Sequence, residues 1–143
     1  MTDLVHLAHD IARRAHAHQV DKSGAPYIEH IERVAARCTS DEARCVAYLH
    51  DVLEDTDVLP EPEMRRIFGD RITEGVLSVT KREGESYADF VRRAGENPLG
   101  REVKIADLID NSNLSRLPQV TLRDAQRQRK YNDALRHLLE TET

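Results

Sequence analysis

Apolar residues recur at intervals of three and four along nearly the whole chain, which is the spacing of one face of an α-helix. No segment shows the strict apolar and polar alternation of a half-buried strand. These stripes predict helices over about residues 4–18, 26–38, 41–55, 63–68, 72–79, 86–97, 99–113 and 121–140. The pattern therefore predicts an all-α fold.

Capping residues support the predicted helix boundaries. Ser86 is followed three residues later by Asp89, and Thr121 by Asp124, as in a capping box at a helix start. Gly69 is placed to stop the short helix before it. The longer loops are then limited to residues 19–26, 55–61 and 81–86. We expect one compact helical bundle over residues 1–143.

Composition and charge exclude several classes of protein. With 143 residues the chain has the common size of one domain, and 21 basic against 26 acidic residues give a net charge of −5. This charge disfavours binding to nucleic acid or to anionic lipid. No apolar run approaches a membrane span, and the acidic start lacks the features of a secretory signal. We expect a cytoplasmic protein.

The two cysteines and most histidines carry no metal-binding pattern. Cys38 and Cys45 form neither a CxxC motif nor part of a disulfide framework, and we expect both in the core. Several further histidines lack accompanying carboxylates, and we expect them at the surface or the core edge: His6, His9, His16, His18 and His137.

A cluster of polar residues follows the apolar part of the third predicted helix. At about 100° per residue, Glu54 lies about 40°, Asp51 about 100° and Asp55 about 140° from His50. Their face continues the apolar Leu49, so unpaired carboxylates there would be costly. A divalent cation would offset that cost, and imidazole favours manganese, iron or zinc over magnesium. A solvated acidic helix end is the alternative interpretation.

Two other segments add to this pattern. His30 lies on the flank of the second helix, and Asp107 and Asn111 are spaced to share one face of a later helix. In order, the chain contains DKSGAPYIEH at 21–30, LHDVLEDT at 49–56, VTK at 79–81 and VKIAD at 103–107. Together these segments closely resemble the hydrolase domain of the RelA/SpoT alarmone enzymes, within the HD superfamily of metal-dependent phosphohydrolases. The resemblance covers residues 3–117.

The resemblance implies a role for each matching residue. It implies that one Mn²⁺-like ion is bound by four side chains, those of His30, His50, Asp51 and Asp107. It places Glu54 and Asp55 beside the water that the metal activates, where a carboxylate can take or relay a proton. Lys22, Ser23 and Asn111 match positions that contact the nucleotide, and a Lys-Ser-Gly turn suits a phosphate group. No room is expected for synthetase or regulatory domains, so the resemblance implies a stand-alone small alarmone hydrolase.

The chain departs from the family pattern near the nucleotide. Asp21 stands where the family commonly has an arginine that packs on guanine, and residues 108–114 lack a cation and a hydroxyl that the family often has. These departures predict a less basic pocket and leave the choice between guanine and adenine open.

The function implied is hydrolysis of the 3′-diphosphate of (p)ppGpp-like nucleotides, which yields GDP or GTP, or the adenine analogue, and pyrophosphate. Two alternatives remain. One is a generic HD-type nucleotide phosphohydrolase that releases orthophosphate, and the other is a nucleotide sensor without catalysis. The sequence does not indicate an oligomeric state.

Overall fold

The fold is a bundle of α-helices, as predicted. A computed structural model describes residues 3–55, 57–117 and 119–141. Its elements, in chain order, are α1 (Asp3–Ala15), α2 (Tyr27–Ala36), α3 (Asp41–Leu49), α4 (Val52–Asp55), α5 (Glu61–Ser78), α6 (Tyr87–Gly95), α7 (Pro98–Asn111), a 3₁₀ turn (Leu114–Arg116) and α8 (Leu122–Glu140). Within these residues the β-structure amounts to one isolated bridge between Val20 and Pro26.

Helix α3 lies at the centre of the core. It packs against α1, α2, α5 and α7, and every residue from Cys45 to Leu49 is buried. A helix that is apolar on all sides belongs in the interior rather than at the surface. Because His50 follows Leu49 directly, the central helix carries the start of the polar cluster into the middle of the bundle.

The prediction of one continuous helix from 41 to 55 is wrong. Helix α3 ends at Leu49, and His50 and Asp51 form a turn before α4. The His50 Nδ1 atom donates a hydrogen bond of 2.6 Å to the carbonyl of Ala47, which in a continuing helix would accept from the Asp51 N–H. The angular positions predicted beyond His50 therefore do not hold.

Other boundaries agree with the sequence more closely. The backbone of α5 leaves the helical region at Gly69, with φ of +84°, where a helix stop was predicted. Helix α8 begins with the predicted capping box of Thr121 and Asp124. Asn97 caps α7, and Gly100 in its first turn lets it approach α5, because a Cβ at position 100 would lie 1.9 Å from Ser78 Oγ.

The fold shows where the two cysteines and His16 lie. Both cysteines are buried and free, and burial raises the pKa of Cys38 to about 12 and that of Cys45 to about 11. The prediction that His16 lies at the surface or the core edge is wrong, since the residue is buried and its Nδ1 atom lies 2.8 Å from Gln19 Oε1. Helix α1 ends at Ala15 rather than near His18. In the described part of the chain, none of the helices has the length and apolar character to cross a bilayer.

Replacing Glu85 with glutamine is expected to make stability less dependent on acid pH. Arg93 pairs with Glu85 at 2.9 Å and donates to the carbonyls of Leu77 and Thr80, so the pair holds the end of α5. The Arg93 hydrogen bond lowers the pKa of Glu85 from 4.5 to about 2. A lowered folded-state pKa stabilises the protein above pH 4.5, and that contribution is lost as the pH falls toward 2.

Urea unfolding at several pH values measures this contribution. The variant should be less stable than the wild type at pH 7, and the difference should shrink between pH 4.5 and 2. Glu63→Gln is the matched control, since its partner Arg66 lies on the same exposed helix turn. An equal difference at every pH would show that the Glu85 charge is not responsible.

Candidate metal centre

Three elements bring two histidines and an aspartate together inside the bundle. His30 lies on α2, His50 follows α3, and Asp107 lies on α7. Their nitrogen and oxygen atoms lie within 4.8 Å of one another, and all three side chains are buried. Asp107 Oδ1 is 3.0 Å from His30 Nε2 and 3.5 Å from His50 Nε2. This spacing suits donors that share one ion.

Each of the two imidazole rings is held in place by a hydrogen bond from its Nδ1 atom. His30 Nδ1 donates to Asp110 at 2.6 Å, and His50 Nδ1 donates to the Ala47 carbonyl at 2.6 Å. In each ring this leaves Nε2 facing Asp107. His50 Nε2 is buried and makes no hydrogen bond to any described residue. A buried nitrogen without a partner is costly unless a ligand satisfies it, so the donor set fits a divalent cation.

Asp51 lies at the edge of the same cluster. Its Oδ2 is 3.3 Å from His50 Nε2 and accepts a hydrogen bond from the hydroxyl of Tyr27. The turn at 50–51 therefore places this carboxylate close to the His50 ring. Sequence reasoning quoted Tyr27 only as part of a motif, and gave it no role at the centre.

The electrostatics of the centre favour positive charge. Burial alone would lower the pKa of His50, but the Asp51 and Asp107 carboxylates raise it to about 9. Burial alone would also lower the pKa of His30. The hydrogen bonds to Asp107 and Asp110 outweigh burial, so the pKa is raised. Without a metal ion, protons on the histidines supply the positive charge, and a divalent ion would displace these protons on binding.

Lys104 is a further residue of the centre that sequence reasoning did not assign. It is 8% exposed, its Nζ lies 3.1 Å from Asp107 Oδ2, and it stands over the ring of Phe90. Burial would raise the pKa of Asp107, but Lys104 and the two histidines hold it well below its usual range. Lys104 thus occupies one oxygen of Asp107 and leaves the other facing the histidines. Its place one helical turn before Asp107 was the available signal.

A cavity opens on the His30 side of the centre. Its volume of about 300 Å³ is at the lower end of the size range for small-molecule sites. It is the larger of the two cavities beside the centre, and we call it the larger cavity. The three residues predicted to contact nucleotide, Lys22, Ser23 and Asn111, all line it. Asn111 donates to Asp107 Oδ1 at 3.3 Å, which confirms the predicted common face of α7.

Asp21 has a structural role in the wall of this cavity. Its Oδ1 accepts hydrogen bonds from the backbone N–H and hydroxyl of Ser23 and from the Ala25 N–H, at 2.9, 2.7 and 3.1 Å. Such a carboxylate folds its own loop in the manner of an Asx turn. Asp21 therefore shapes the Lys-Ser-Gly turn by its own hydrogen bonds.

That the pocket is less basic than in the family stays a prediction, because both cations and carboxylates line the larger cavity. Three guanidinium groups from outside the family motifs line the larger cavity, namely those of Arg33 on α2, Arg116 in the 3₁₀ turn and Arg127 on α8. Arg127 lies in the first turns of α8 and pairs with Asp124, which also lines the cavity. Sequence periodicity could not show this, because these cations come from separate elements.

A second cavity of about 160 Å³ lies on the other side of the centre, and we call it the smaller cavity. Its lining includes His50, Asp51, Glu54, Lys104 and Asp107. Glu54, on α4, therefore lines the same cavity as His50, Asp51 and Asp107, and its role in proton transfer stays a prediction. Asp55 ends α4, and its side chain lies outside the described part of the structure.

The chain belongs to the HD domain family, whose model matches residues 8–97. It is also 33% identical over 119 residues to the guanosine-3′,5′-bis(diphosphate) 3′-pyrophosphohydrolase of Aquifex aeolicus. That alignment covers 75% of this chain and 17% of the relative. It is 36% identical over 120 residues to the GTP pyrophosphokinase of Streptomyces coelicolor, covering 75% of this chain and 14% of that protein. The chain thus spans a small part of each of these relatives.

The fold is also that of a solved structure. A metazoan ortholog of SpoT, described as hydrolyzing ppGpp, matches with a TM-score of 0.78 and 22% identity. The match covers 99% of this chain and 88% of the other. The HD-type helical bundle predicted from the sequence is therefore confirmed.

Proposed function

We propose that the chain acts as one HD-type domain that hydrolyses the 3′-diphosphate of (p)ppGpp-like nucleotides. Water would add to the phosphorus bonded to the ribose 3′ oxygen. The bond between that phosphorus and the 3′ oxygen breaks, the 3′ oxygen takes up a proton, and pyrophosphate and the nucleoside 5′-diphosphate or 5′-triphosphate are released. The observation that carries the proposal is the buried cluster of His30, His50 and Asp107, situated between a cavity of about 300 Å³ and a cavity that Glu54 lines.

His30, His50, Asp51 and Asp107 would hold one divalent ion. Mn²⁺ is our proposal for the ion, because two imidazoles and two carboxylates form a mixed nitrogen and oxygen donor set. When bound, such an ion supplies Lewis acidity that acidifies water and stabilises charge on phosphoryl oxygens.

The chain's own residues would perform the remaining tasks. Glu54 accepts the proton of the attacking water, with Asp55 as its partner in proton relay. Lys22 and the turn at Ser23 bind phosphate oxygens at the mouth of the larger cavity, and Asn111 contacts the nucleotide. The guanidinium groups of Arg33, Arg116 and Arg127 add positive charge to the same wall.

The relatives support this substrate class, because the Aquifex aeolicus protein is named for cleavage of guanosine-3′,5′-bis(diphosphate). A small anionic nucleotide also suits the cations of the larger cavity better than a nucleic acid suits a chain of net charge −5. A cytoplasmic location accords with such a substrate and stays a prediction.

Product analysis tests the proposal. Purified protein is incubated with Mn²⁺ and either ppGpp or its adenine counterpart, and pyrophosphate and orthophosphate are measured. We expect pyrophosphate from the wild type and none from Asp51→Ala, and the faster substrate identifies the preferred base. Orthophosphate alone would instead indicate a generic phosphohydrolase. Bound nucleotide without any product would indicate a sensor.

A further inference from the structure

Asp110 connects the candidate metal centre to the larger cavity. It lies on α7, one turn from Asp107, and is 3% exposed. Its carboxylate accepts from His30 Nδ1 at 2.6 Å, from Arg33 Nε and Nη2 at 2.7 and 3.2 Å, and from Arg116 Nη2 at 3.3 Å. One buried carboxylate thus accepts hydrogen bonds from three side chains of two other elements, α2 and the 3₁₀ turn.

We propose that Asp110 is the positioning residue of the metal centre: it fixes the ring of His30 with Nε2 toward the ion and strengthens that nitrogen as a ligand. The inference rests on the metal-binding part of the proposed function. A carboxylate that accepts from the far nitrogen of a ligating imidazole sets its tautomer and raises its basicity.

The two histidines differ in this respect. His50 Nδ1 donates to a neutral acceptor, the Ala47 carbonyl, whereas His30 Nδ1 donates to a charged one. Because its hydrogen-bond acceptor is anionic, His30 is the stronger metal ligand of the two histidines.

Arg33 and Arg116 hold this carboxylate in place. The guanidinium of Arg33 grips Asp110 through two nitrogens, and Nη2 of Arg116 contacts both the side chain and the main-chain carbonyl of Asp110. A buried carboxylate needs hydrogen-bonding partners, and these contacts fix the side chain of Asp110 beside His30 Nδ1. Both arginines also line the larger cavity, so the wall that faces the nucleotide and the support of His30 are one network.

Cobalt binding tests the proposal in solution, with Co²⁺ as the probe. Asp110→Asn keeps the shape of the side chain but removes its charge, and we expect Co²⁺ affinity to fall about 10- to 100-fold. The visible absorption bands of bound Co²⁺ should shift as well, because the His30 nitrogen becomes a weaker ligand. Arg33→Gln is the matched control, since it leaves the bond from His30 to Asp110 and one guanidinium in place, and it should retain most of the affinity.

The results that would contradict the role of Asp110 differ from those that would contradict the metal centre. If Asp110 only ties α2 to α7 through Arg33, both variants would lose stability alike, and both would bind Co²⁺ as the wild type does. Unchanged affinity and spectrum in a folded Asp110→Asn protein would overturn the inference but leave the proposed function intact. Failure of the wild type to bind Co²⁺ at all would contradict the metal centre itself.

A measurement on the wild type keeps the test independent of whether the variant folds. In the Zn²⁺-loaded protein, nitrogen NMR of the ring is expected to show His30 protonated at Nδ1 and coordinated through Nε2. Coordination through Nδ1 would contradict the proposal, because that atom would then be unable to donate to Asp110.

Discussion

Replacing Asp107 with asparagine is expected to abolish hydrolysis and to destabilise the fold at the same time. The asparagine loses the anionic oxygen that faces both histidines, at 3.0 and 3.5 Å. We expect activity to fall at least about 10³-fold, which corresponds to a loss of about 4 kcal/mol of transition-state stabilisation. The same change leaves buried Lys104 without its counter-ion, at a cost of about 3–5 kcal/mol in stability.

A double variant separates the two effects. In Lys104→Met/Asp107→Asn the buried cation is removed along with its partner, so urea unfolding should show much of the lost stability restored. Pyrophosphate release should stay absent, because the ligand is still missing. Recovery of activity in the double variant would show that Asp107 acts only as a partner for Lys104, and would remove it from the metal site.

The helices could be predicted well because their stripes and caps are local. Gly69 and the pair Thr121 and Asp124 are examples, since each acts within a few residues of itself. The turn at His50 could not be predicted in this way. It depends on a bond from the ring to the Ala47 carbonyl, and a helical wheel assumes that every carbonyl stays within the helix.

The residues of the candidate site, too, could be predicted only where their signal is local in the sequence. The residue types of His30, His50 and Asp107 stand in recognisable segments, and the fold brings them together. Asp110 and Arg33 have no such signal, because their importance arises from a contact between α7 and α2, in which the two residues are 77 positions apart along the chain. Periodicity along one helix carries no information about which side chain of another helix will face it.

Replacing Glu54 with glutamine is expected to reduce the rate of hydrolysis while metal binding is retained. Glu54 lines the smaller cavity with His50, Asp51 and Asp107, but belongs to α4 rather than to the elements that carry the ligand cluster. A glutamine has nearly the same shape and cannot accept the proton of the attacking water. We expect kcat to fall about 10²- to 10⁴-fold, with Co²⁺ affinity close to that of the wild type.

Two comparisons make this prediction specific. Glu63→Gln changes the same residue type on α5, away from both cavities, and should leave kcat unchanged. Asp55→Asn tests the neighbouring carboxylate, and the variant with the larger loss in kcat identifies the group that takes the proton. If Glu54→Gln instead lowers metal affinity and kcat in parallel, Glu54 supports the ion rather than the water. Because Asp51 is already turned toward His50 by the backbone, at 3.3 Å, we expect the centre to hold its ion without Glu54.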